Sequence, residues 1–370
     1  MKIPLIKPTI TEDDLQSSIN AVYSEEFSDG KVTRYFEKMM ADFLCIEGSI
    51  ATNSCTSAII LALSTLGLKP HDEVIIPTYT CISILNAVIQ FGVTPKLADI
   101  DIQPKKMNYN ICLNSIEKIL SAKTKAIIVP HMFGVSAQMD MIAAFNIPVI
   151  EDITLSFGAK YKGKPLGAWG TVCVCSFHSS KLISCGEGGM LGSKDRTILD
   201  RARYLNSWEK ELVDFRIGNK KTKRYELRYN FHLSGVLASL GLSQLKKTNN
   251  FIERRRSIAE IYSTHFHALK YLKIPIPEYN QQNIYQRYLL MIENANIIEI
   301  INRFYDYGIE VGRGVYPPLH QMLGLDSNKF PNSEHAVKTI LSIPIYPSLN
   351  ESDVYYIIES CRKIFKAIKK

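Results

Sequence analysis

The sequence predicts an α/β protein in which a mostly parallel sheet of about seven strands is followed by a smaller α+β unit. Short apolar runs alternate with helical patterns from about residue 50 onward, as in βαβ units. Runs such as AIIVP (126–130) and TVCVCSF (171–177) are apolar throughout, which is typical of strands covered on both faces. The alternation ends near Gln244. We therefore predict a large domain, residues 1–245, and a small domain, residues 246–370.

The predicted elements follow one another with short connections. Acidic residues at 12–14 favour a helix start, because negative charge interacts well with a helix N-terminus. A second helix follows the turn at 28–30, and a polar turn at 51–57 leads into a helix over 58–66. Further strands are predicted at 73–76, 95–99, 126–130, 149–150 and 171–177, with helices at 82–91 and 139–145. The small domain is predicted to contain helices at 251–269, 297–307 and from about 352, and strands at 288–292 and 309–315.

Composition and charge narrow the classes of function. The 370 residues carry a net charge of +8 that is spread along the chain, without the basic and aromatic runs of nucleic-acid-binding segments. A local basic cluster at 220–224 can meet an anionic substrate. The N-terminus lacks a signal-peptide core, and no apolar run approaches the ~20 residues that span a membrane. The eight cysteines form no CxxC pair, so we expect a soluble cytoplasmic protein with reduced thiols that binds neither nucleic acid nor a membrane.

The most informative stretch surrounds Lys181. This lysine follows the buried strand 171–177 and lies between small hydroxyl residues and a glycine-rich turn at 186–189. An amine at the end of a buried strand can lose part of its hydration, which prepares it for Schiff-base chemistry. An ordinary surface lysine is an equally good interpretation of this segment alone.

Two further polar features fall at strand ends, where ligands bind in open α/β sheets. The turn 53–57 begins a helix whose free N–H groups, with the hydroxyls of Thr56 and Ser57, can bind a phosphate; alone, a plain N-cap explains it better. Asp152 ends a buried strand, and a protonated ring nitrogen would partner its carboxylate, although a helix cap or salt bridge is the simpler alternative. Together with Lys181, these features are the three anchors that pyridoxal 5′-phosphate (PLP) needs.

Other chemistries match the sequence less well. The GEGG turn at 186–189 is not followed by the Lys-Ser/Thr pair of a phosphate-binding loop, and no GxGxxG follows the first strand. The eight histidines form no HExxH motif and no pair with convincing metal-ligand spacing. Neither a mononucleotide loop nor a metal centre is predicted.

The sequence resembles the DegT-type nucleotide-sugar aminotransferases over essentially its whole length. The matching stretches occur in order and include NSCTSAIILAL, DEVIIPTYT, TKAIIVPHMFG, VIED, SFHSSKLISCGEGGM, YNFHLSGVLASLGLSQLKK and IPIYPSL. The resemblance implies the PLP-dependent transferase fold type I. It also implies transfer of an amino group, with L-glutamate as donor, to a keto group of a nucleotide-linked deoxy sugar for surface polysaccharide or glycan synthesis.

The resemblance also assigns roles by position. Lys181 matches the Schiff-base lysine, which moves the substrate proton, and Asp152 matches the partner of the pyridinium nitrogen. Contacts to the cofactor phosphate are matched by Thr56, Ser57 and Ser176. Asn230 matches an asparagine that reaches the phosphate in the other subunit, which implies a homodimer with shared active sites. His320 and His131 match positions near the substrate, although packed structural histidines are an equally good interpretation.

Three cofactor-site positions depart from the family pattern. Cys55 replaces a usual glycine of the phosphate turn, Cys81 an aromatic residue that stacks on the ring, and Leu155 a polar residue at the 3-hydroxyl. Loss of ring stacking should weaken cofactor binding by about 1 kcal/mol. The departures motivate an alternative, a non-catalytic member that binds a nucleotide sugar or a protein partner. The retained Lys181 and Asp152 favour an enzyme, and Lys181 also argues against the related dehydratases, which have histidine there.

Overall fold

The computed structural model describes residues 2–24, 27–102, 108–207, 226–269, 272–274 and 283–367. The strands in these ranges are β1 (Gly48–Thr52), β2 (Glu73–Pro77), β3 (Thr94–Ala98), β4 (Thr124–Pro130), β5 (Val149–Asp152), β6 (Lys160–Tyr161), β7 (Lys164–Pro165), β8 (Val172–Ser176), β9 (Gly189–Ser193), β10 (Leu272–Lys273), β11 (Tyr288–Ile292), β12 (Gly312–Arg313) and β13 (Ile340–Ile343). The helices are α1 (Glu12–Tyr23), α2 (Lys31–Leu44), α3 (Cys55–Thr65), α4 (Ile82–Phe91), α5 (Leu113–Ile119), α6 (Met139–Ala143), α7 (Arg196–Leu205), α8 (Gly235–Lys246), α9 (Thr248–Phe266), α10 (Ile297–Asp306), α11 (Leu319–Met322), α12 (Pro331–Thr339) and α13 (Glu351–Ala367). Short 3-10 turns occur at Met132–Gly134 and Ser327–Lys329.

The main sheet has seven strands in the order β1-β9-β8-β5-β4-β2-β3. β9 runs antiparallel to both of its neighbours, and the remaining neighbours pair in parallel. The prediction of a mostly parallel seven-stranded sheet is confirmed. The C-terminal ends of the parallel strands and the beginning of β9 share one edge of the sheet, so the loops that leave and enter there lie together.

Both faces of this sheet are covered, as the uniformly apolar strands predict. Successive side chains of a strand point to opposite faces. Ile127 and Val129 of β4 accordingly pack in one core with Phe36 of α2, while Ile128 packs in the other core with Leu61 of α3. The polar ends of the strands are therefore left as the places where a ligand can approach.

The second part of the chain contains a four-stranded antiparallel sheet, β10-β11-β13-β12. Its core includes Tyr262 of α9, Phe304 of α10 and Ile357 of α13. α8 and α9 meet at Lys247, close to the predicted boundary. Ile3 also packs in this second core, because its backbone pairs with that of Ile309. The division into residues 1–245 and 246–370 stays a prediction.

Some elements differ from those predicted. The strand expected at 309–315 is reduced to Gly312–Arg313, and α3 begins at Cys55 rather than at 58, because Ser54 caps it. The basic cluster 220–224 lies outside the described residues. Within the described ranges, no helix is both long enough and apolar enough to cross a membrane.

Candidate active site

Loops at the C-terminal edge of the main sheet enclose a cleft of about 390 Å³. Its walls come from the segments after β1, β2, β4, β5 and β8 and from the turn before β9. Of the site residues predicted from the sequence, the cleft is lined by Thr56, Cys81, His131, Asp152, Leu155, Ser176 and Lys181. Ser57, Asn230 and His320 do not belong to the lining that the described residues form.

Lys181 lies half-buried at the end of a tight turn that follows β8. Its backbone N–H donates to the carbonyl of His178 at 2.9 Å. The chain then returns alongside the strand, and the N–H of Ser179 donates to the carbonyl of Gly186 at 3.0 Å. Gly186 has a φ of +85° and Gly188 a φ of +143°, a region that glycine adopts without a steric penalty. The glycine-rich turn therefore holds the Lys181 loop against the cleft.

Asp152 is the last residue of β5 and is 7% exposed. Its Oδ1 accepts a hydrogen bond from the backbone N–H of Thr154 at 2.9 Å. Among the described residues, no lysine, arginine or histidine nitrogen lies within 4.0 Å of the carboxylate. Burial raises the pKa of Asp152 above its ordinary value, against the lowering effects of the Thr154 hydrogen bonds and the Lys181 charge. A carboxylate that is buried without a cationic side chain beside it suits a ligand that brings a positive charge, such as a protonated pyridine nitrogen.

The N-terminus of α3 forms the opposite wall. Ser54 caps the helix, since its Oγ accepts a hydrogen bond from the N–H of Ser57 at 3.1 Å. The N–H groups of Cys55 and Thr56 have no partner within the part of the chain described, as expected for a first helical turn. A Cβ on Gly189 would lie 2.5 Å from the nitrogen of Cys55. Glycine there lets the positive end of the helix dipole approach the sheet edge, where it can bind a phosphate.

Ser57 makes hydrogen bonds through its hydroxyl within the turn that begins α3, and its contact with the cofactor phosphate stays a prediction. Its hydroxyl donates to Oδ1 of Asn53 at 2.6 Å and lies 2.9 Å from Oγ of Ser54. The side chain is thus part of the cap, and it contributes by holding the helix end in position.

Thr154 was missed by the sequence reasoning. Its Oγ1 accepts a hydrogen bond from the N–H of Ser176 at 3.0 Å and lies 3.7 Å from Sγ of Cys55. Thr154 therefore connects the ends of β5 and β8 with the start of α3. The available signal was a hydroxyl residue two positions after Asp152, a spacing at which a local turn is common.

The three departures from the family pattern all line the cleft. Burial and the nearby Asp152 raise the pKa of the Cys55 thiol. Cys81 is exposed at the start of α4, and its Sγ accepts a hydrogen bond from the hydroxyl of Ser83 at 3.2 Å. Leu155 is half-buried against the cluster that contains Tyr79. The cleft thus has thiol and aliphatic surfaces in place of the usual aromatic and polar groups.

His131 lines the cleft, but both of its ring nitrogens are engaged. Nδ1 accepts a hydrogen bond from the N–H of Ala137 at 3.0 Å, so Nε2 is the protonated nitrogen and donates to Oε1 of Glu151 at 3.0 Å. Glu151 also accepts from the backbone N–H groups of Gly167, Trp169 and Gly170. His131 therefore belongs to a buried network directly behind the cleft.

His320 lies fully buried outside the cleft lining. Nδ1 pairs with the hydroxyl of Thr78, Nε2 with the carboxylate of Glu334, each at 2.8 Å, and the ring stacks on Phe330. Burial acts to raise the pKa of Glu334, but hydrogen bonds from Gln321, His320 and Ser327 lower it to about 2. The structure thus shows His320 in a packing network, which is one of the two interpretations left open by the sequence, and its position near the substrate stays a prediction.

Asn230 is exposed and does not belong to the cleft lining formed by the described residues. Its neighbours are fixed: the N–H of Tyr229 donates to the carbonyl of Leu205, and the carbonyl of Phe231 accepts from the N–H of Asn53. The segment is therefore anchored beside the α3 start while Asn230 itself faces outward from the anchored backbone.

The fold and the cleft together define the class of a PLP-dependent enzyme, since a lysine, a carboxylate and a helix N-terminus meet at one sheet edge. The profile of the DegT/DnrJ/EryC1/StrS aminotransferase family matches residues 8–362. The chain belongs to this family, whose aminotransferases depend on PLP.

Individual relatives agree with this assignment. The chain is 30% identical to the GDP-perosamine synthase of Escherichia coli O157:H7, covering 98% of each chain. It is also 30% identical to the spore coat polysaccharide biosynthesis protein SpsC of Bacillus subtilis, covering 98% of this chain and 97% of the relative. The crystal structure of the aminotransferase TlmJ from Streptoalloteichus hindustanus superposes with a TM-score of 0.90 at 27% identity, with full coverage of both chains.

Proposed function

We propose that this aminotransferase moves an amino group from L-glutamate to a keto group of a nucleotide-linked deoxy sugar, which then enters surface polysaccharide or glycan synthesis. The observation that carries the proposal is the meeting of Lys181, Asp152 and the α3 N-terminus around one cleft. The similarity to a GDP-perosamine synthase and to a polysaccharide biosynthesis protein supports the substrate class.

Each anchor has a task that its surroundings support. When bound, PLP supplies an aldehyde that exchanges amines and a ring that withdraws electrons from the adjacent carbon. Asp152 would pair with the ring nitrogen, and the free N–H groups at Cys55 and Thr56, with Ser176, would hold the phosphate. Lys181 would hold the cofactor between turnovers. Once glutamate takes its place, the Lys181 amine would remove the proton from the α-carbon of glutamate and later return a proton to the sugar carbon. The amino group of glutamate would be kept on the cofactor for the sugar, and water would supply the keto oxygen of the departing 2-oxoglutarate.

The active unit we propose is a homodimer in which Asn230 completes the partner's phosphate site. Asn230 is exposed on an anchored segment and does not belong to the cleft lining formed by the described residues. One face of α1 carries exposed apolar residues at helical spacing: Leu15, Ile19, Val22 and Tyr23. Such a patch suits a protein–protein interface, and twofold dimers are the commonest oligomers.

All eight cysteines are free thiols, which supports a cytoplasmic setting.

The first experiment is the visible absorbance spectrum of the protein with added PLP, before and after glutamate. We expect a yellow band that glutamate removes and that Lys181→Ala lacks, because the band requires the covalent link to this amine. Lys160→Ala, which changes an exposed lysine outside the cleft lining, is the matched control and should behave as the wild type. A protein that binds no PLP at all would contradict the proposal and favour a non-catalytic binding role.

Shared sites can be tested by mixing Asn230→Ala with Lys181→Ala protein. A mixed dimer would contain one cleft with an intact Lys181 and an intact Asn230 from the partner, so activity should exceed that of either parent. If Asn230 acts within its own subunit, no cleft in the mixture is intact and no recovery will occur.

A further inference from the structure

We infer that Gln286 positions Lys181: it extends from the second part of the chain to hold the peptide unit from which Lys181 projects. The amide Nε2 of Gln286 donates a hydrogen bond to the carbonyl of Ser180 at 3.2 Å. That carbonyl belongs to the peptide that joins Ser180 to Lys181. The inference rests on the proposed role of Lys181 and adds a residue that no sequence motif indicates.

The geometry fixes both sides of one peptide plane. The N–H of the same peptide, which is that of Lys181, donates to the carbonyl of His178 at 2.9 Å. Because the peptide is planar, hydrogen bonds on both its C=O and its N–H determine its orientation and hence the direction in which the Lys181 side chain leaves the backbone. A lysine side chain has several rotatable bonds, so fixing its base narrows the region that its amine can reach.

Gln286 is itself held rigidly. Nη1 of Arg255, a buried residue of α9, donates to the carbonyls of Tyr285, Gln286 and Ile345 at 2.7 to 3.3 Å. The guanidinium thus has carbonyl oxygens as partners where a carboxylate would be usual. Burial lowers the pKa of Arg255 to about 9. Arg255 thus links residues 285 and 286 to α9 and to the carbonyl of Ile345, which follows β13.

The same segment also touches the other wall of the cleft. The N–H of Ile284 donates to the carbonyl of Gly134 at 3.4 Å, in the turn that follows His131. A Cβ on Gly134 would lie 3.0 Å from the nitrogen of Tyr285 and 3.1 Å from that of Gln286. Residues 283–286 therefore lie between the loop after β4 and the Lys181 loop, and they set the spacing of two cleft walls.

Stability alone does not account for a glutamine at this position. Gln286 is 3% exposed, and its Oε1 is buried with no partner among the described residues. A buried acceptor without a partner destabilises the folded state, whereas methionine would fill a similar volume without that cost. Within the described ranges, the hydrogen bond that the side-chain amide makes is the one to Ser180, and we infer that the benefit of the amide lies there.

The test compares Gln286→Met with Gln244→Met. Gln244 is a matched control, since it is also buried, also has an orphaned Oε1, and donates to Thr9 and Asp14 away from the cleft. The first readout is the rate at which acetic anhydride modifies Lys181 in the PLP-free protein, followed by peptide mass spectrometry. The second is kcat and KM of the PLP-loaded enzyme with glutamate.

For Gln286→Met we expect acetic anhydride to modify Lys181 at least about threefold faster than in the wild type. We also expect kcat to be about tenfold lower and KM for glutamate to stay within about twofold, because the variant displaces a reacting group without removing a substrate contact. Gln286→His should restore both values, since an imidazole Nε2 can replace the amide donor. Gln244→Met should change the unfolding temperature and neither readout. Wild-type modification rates and kcat in Gln286→Met would overturn the inference. Absence of a Lys181-dependent PLP band in the wild type would instead overturn the proposed function, and the modification rates would still test Gln286.

Discussion

Glu151 and Asp152 are adjacent carboxylates at the end of β5, yet their surroundings are opposite. Glu151 is fully buried and accepts four hydrogen bonds, from His131 and from the N–H groups of residues 167, 169 and 170. Burial acts to raise the pKa of Glu151, but the hydrogen bonds and the His131 interaction lower it overall. Asp152 accepts from Thr154, and burial leaves its pKa raised.

In the function that we propose, the difference separates a carboxylate that supports the fold, Glu151, from one that is kept for a ligand, Asp152. Adjacent residues of a strand point to opposite sides, so one strand end serves both purposes. The network of Glu151 fixes the wall of the cleft. We expect the buried charge of Asp152 to lower the stability of the protein until a cationic group binds.

Asp152→Asn should have the largest effect on activity. Asparagine keeps the shape and the acceptor for the Thr154 N–H but removes the charge that stabilises a protonated ring nitrogen. We expect kcat/KM for amino transfer to fall by about 10²- to 10³-fold, the size found when one preorganised electrostatic group is lost. The PLP-free variant should unfold at the same or a higher urea concentration than the wild type. A clearly destabilised variant would show that Asp152 supports the fold.

Glu151→Gln should reverse this pattern. The amide cannot accept all four hydrogen bonds, so buried N–H groups lose their partners and the free energy of unfolding should fall by about 2–4 kcal/mol. Urea unfolding of the PLP-free protein measures this loss. Activity of the fraction that folds should be reduced less than in Asp152→Asn; a purely catalytic defect with unchanged stability would contradict the assignment.

The two carboxylates should also contribute oppositely to the pH dependence of stability. The folded pKa of Glu151 lies below its ordinary 4.5, so its stabilisation is present above that pH and is lost as the pH falls. The folded pKa of Asp152 lies above its ordinary 3.8, so ionisation destabilises the PLP-free protein as the pH rises from 3.8. At pH 7 Glu151→Gln should be less stable and Asp152→Asn more stable than the wild type. The difference in stability between each variant and the wild type should be smaller at pH 4 than at pH 7. A larger difference at pH 4 for either variant would contradict the direction of the pKa shift given for that carboxylate.

Thr154→Val should have the smallest effect. The methyl group keeps the volume but leaves the N–H of Ser176 without its acceptor, a loss of about 1 kcal/mol. We expect the free energy of unfolding of the PLP-free protein to fall by about 1 kcal/mol, and PLP to bind at most about fivefold more weakly in a fluorescence titration. Thr197→Val, which removes an exposed hydroxyl bonded to Asp195, is the control and should leave PLP binding unchanged.

The sequence predicted what depends on local pattern. Apolar strands such as 126–130 and 171–177 predicted a sheet covered on both faces. Asp152 was indicated by its place at the end of the strand 147–150, and Lys181 by its place between small hydroxyl residues and a glycine-rich turn after the strand 171–177. It did not predict contacts between distant segments. His131 and Glu151 are 20 residues apart, and Gln286 and Ser180 are 106 apart. The residues next to His320 in the sequence do not indicate that its ring is hydrogen-bonded to Thr78 and Glu334.

The most direct test of the contrast between the two carboxylates is the thermal unfolding of wild type, Glu151→Gln and Asp152→Asn at pH 7, each with and without saturating PLP. Binding to the folded state raises the unfolding temperature. We predict that PLP raises the unfolding temperature strongly for the wild type and for Glu151→Gln, although Glu151→Gln starts from a lower unfolding temperature. For Asp152→Asn we predict a much smaller rise. An equal rise in Asp152→Asn and the wild type would contradict the claim that Asp152 is kept for the cofactor.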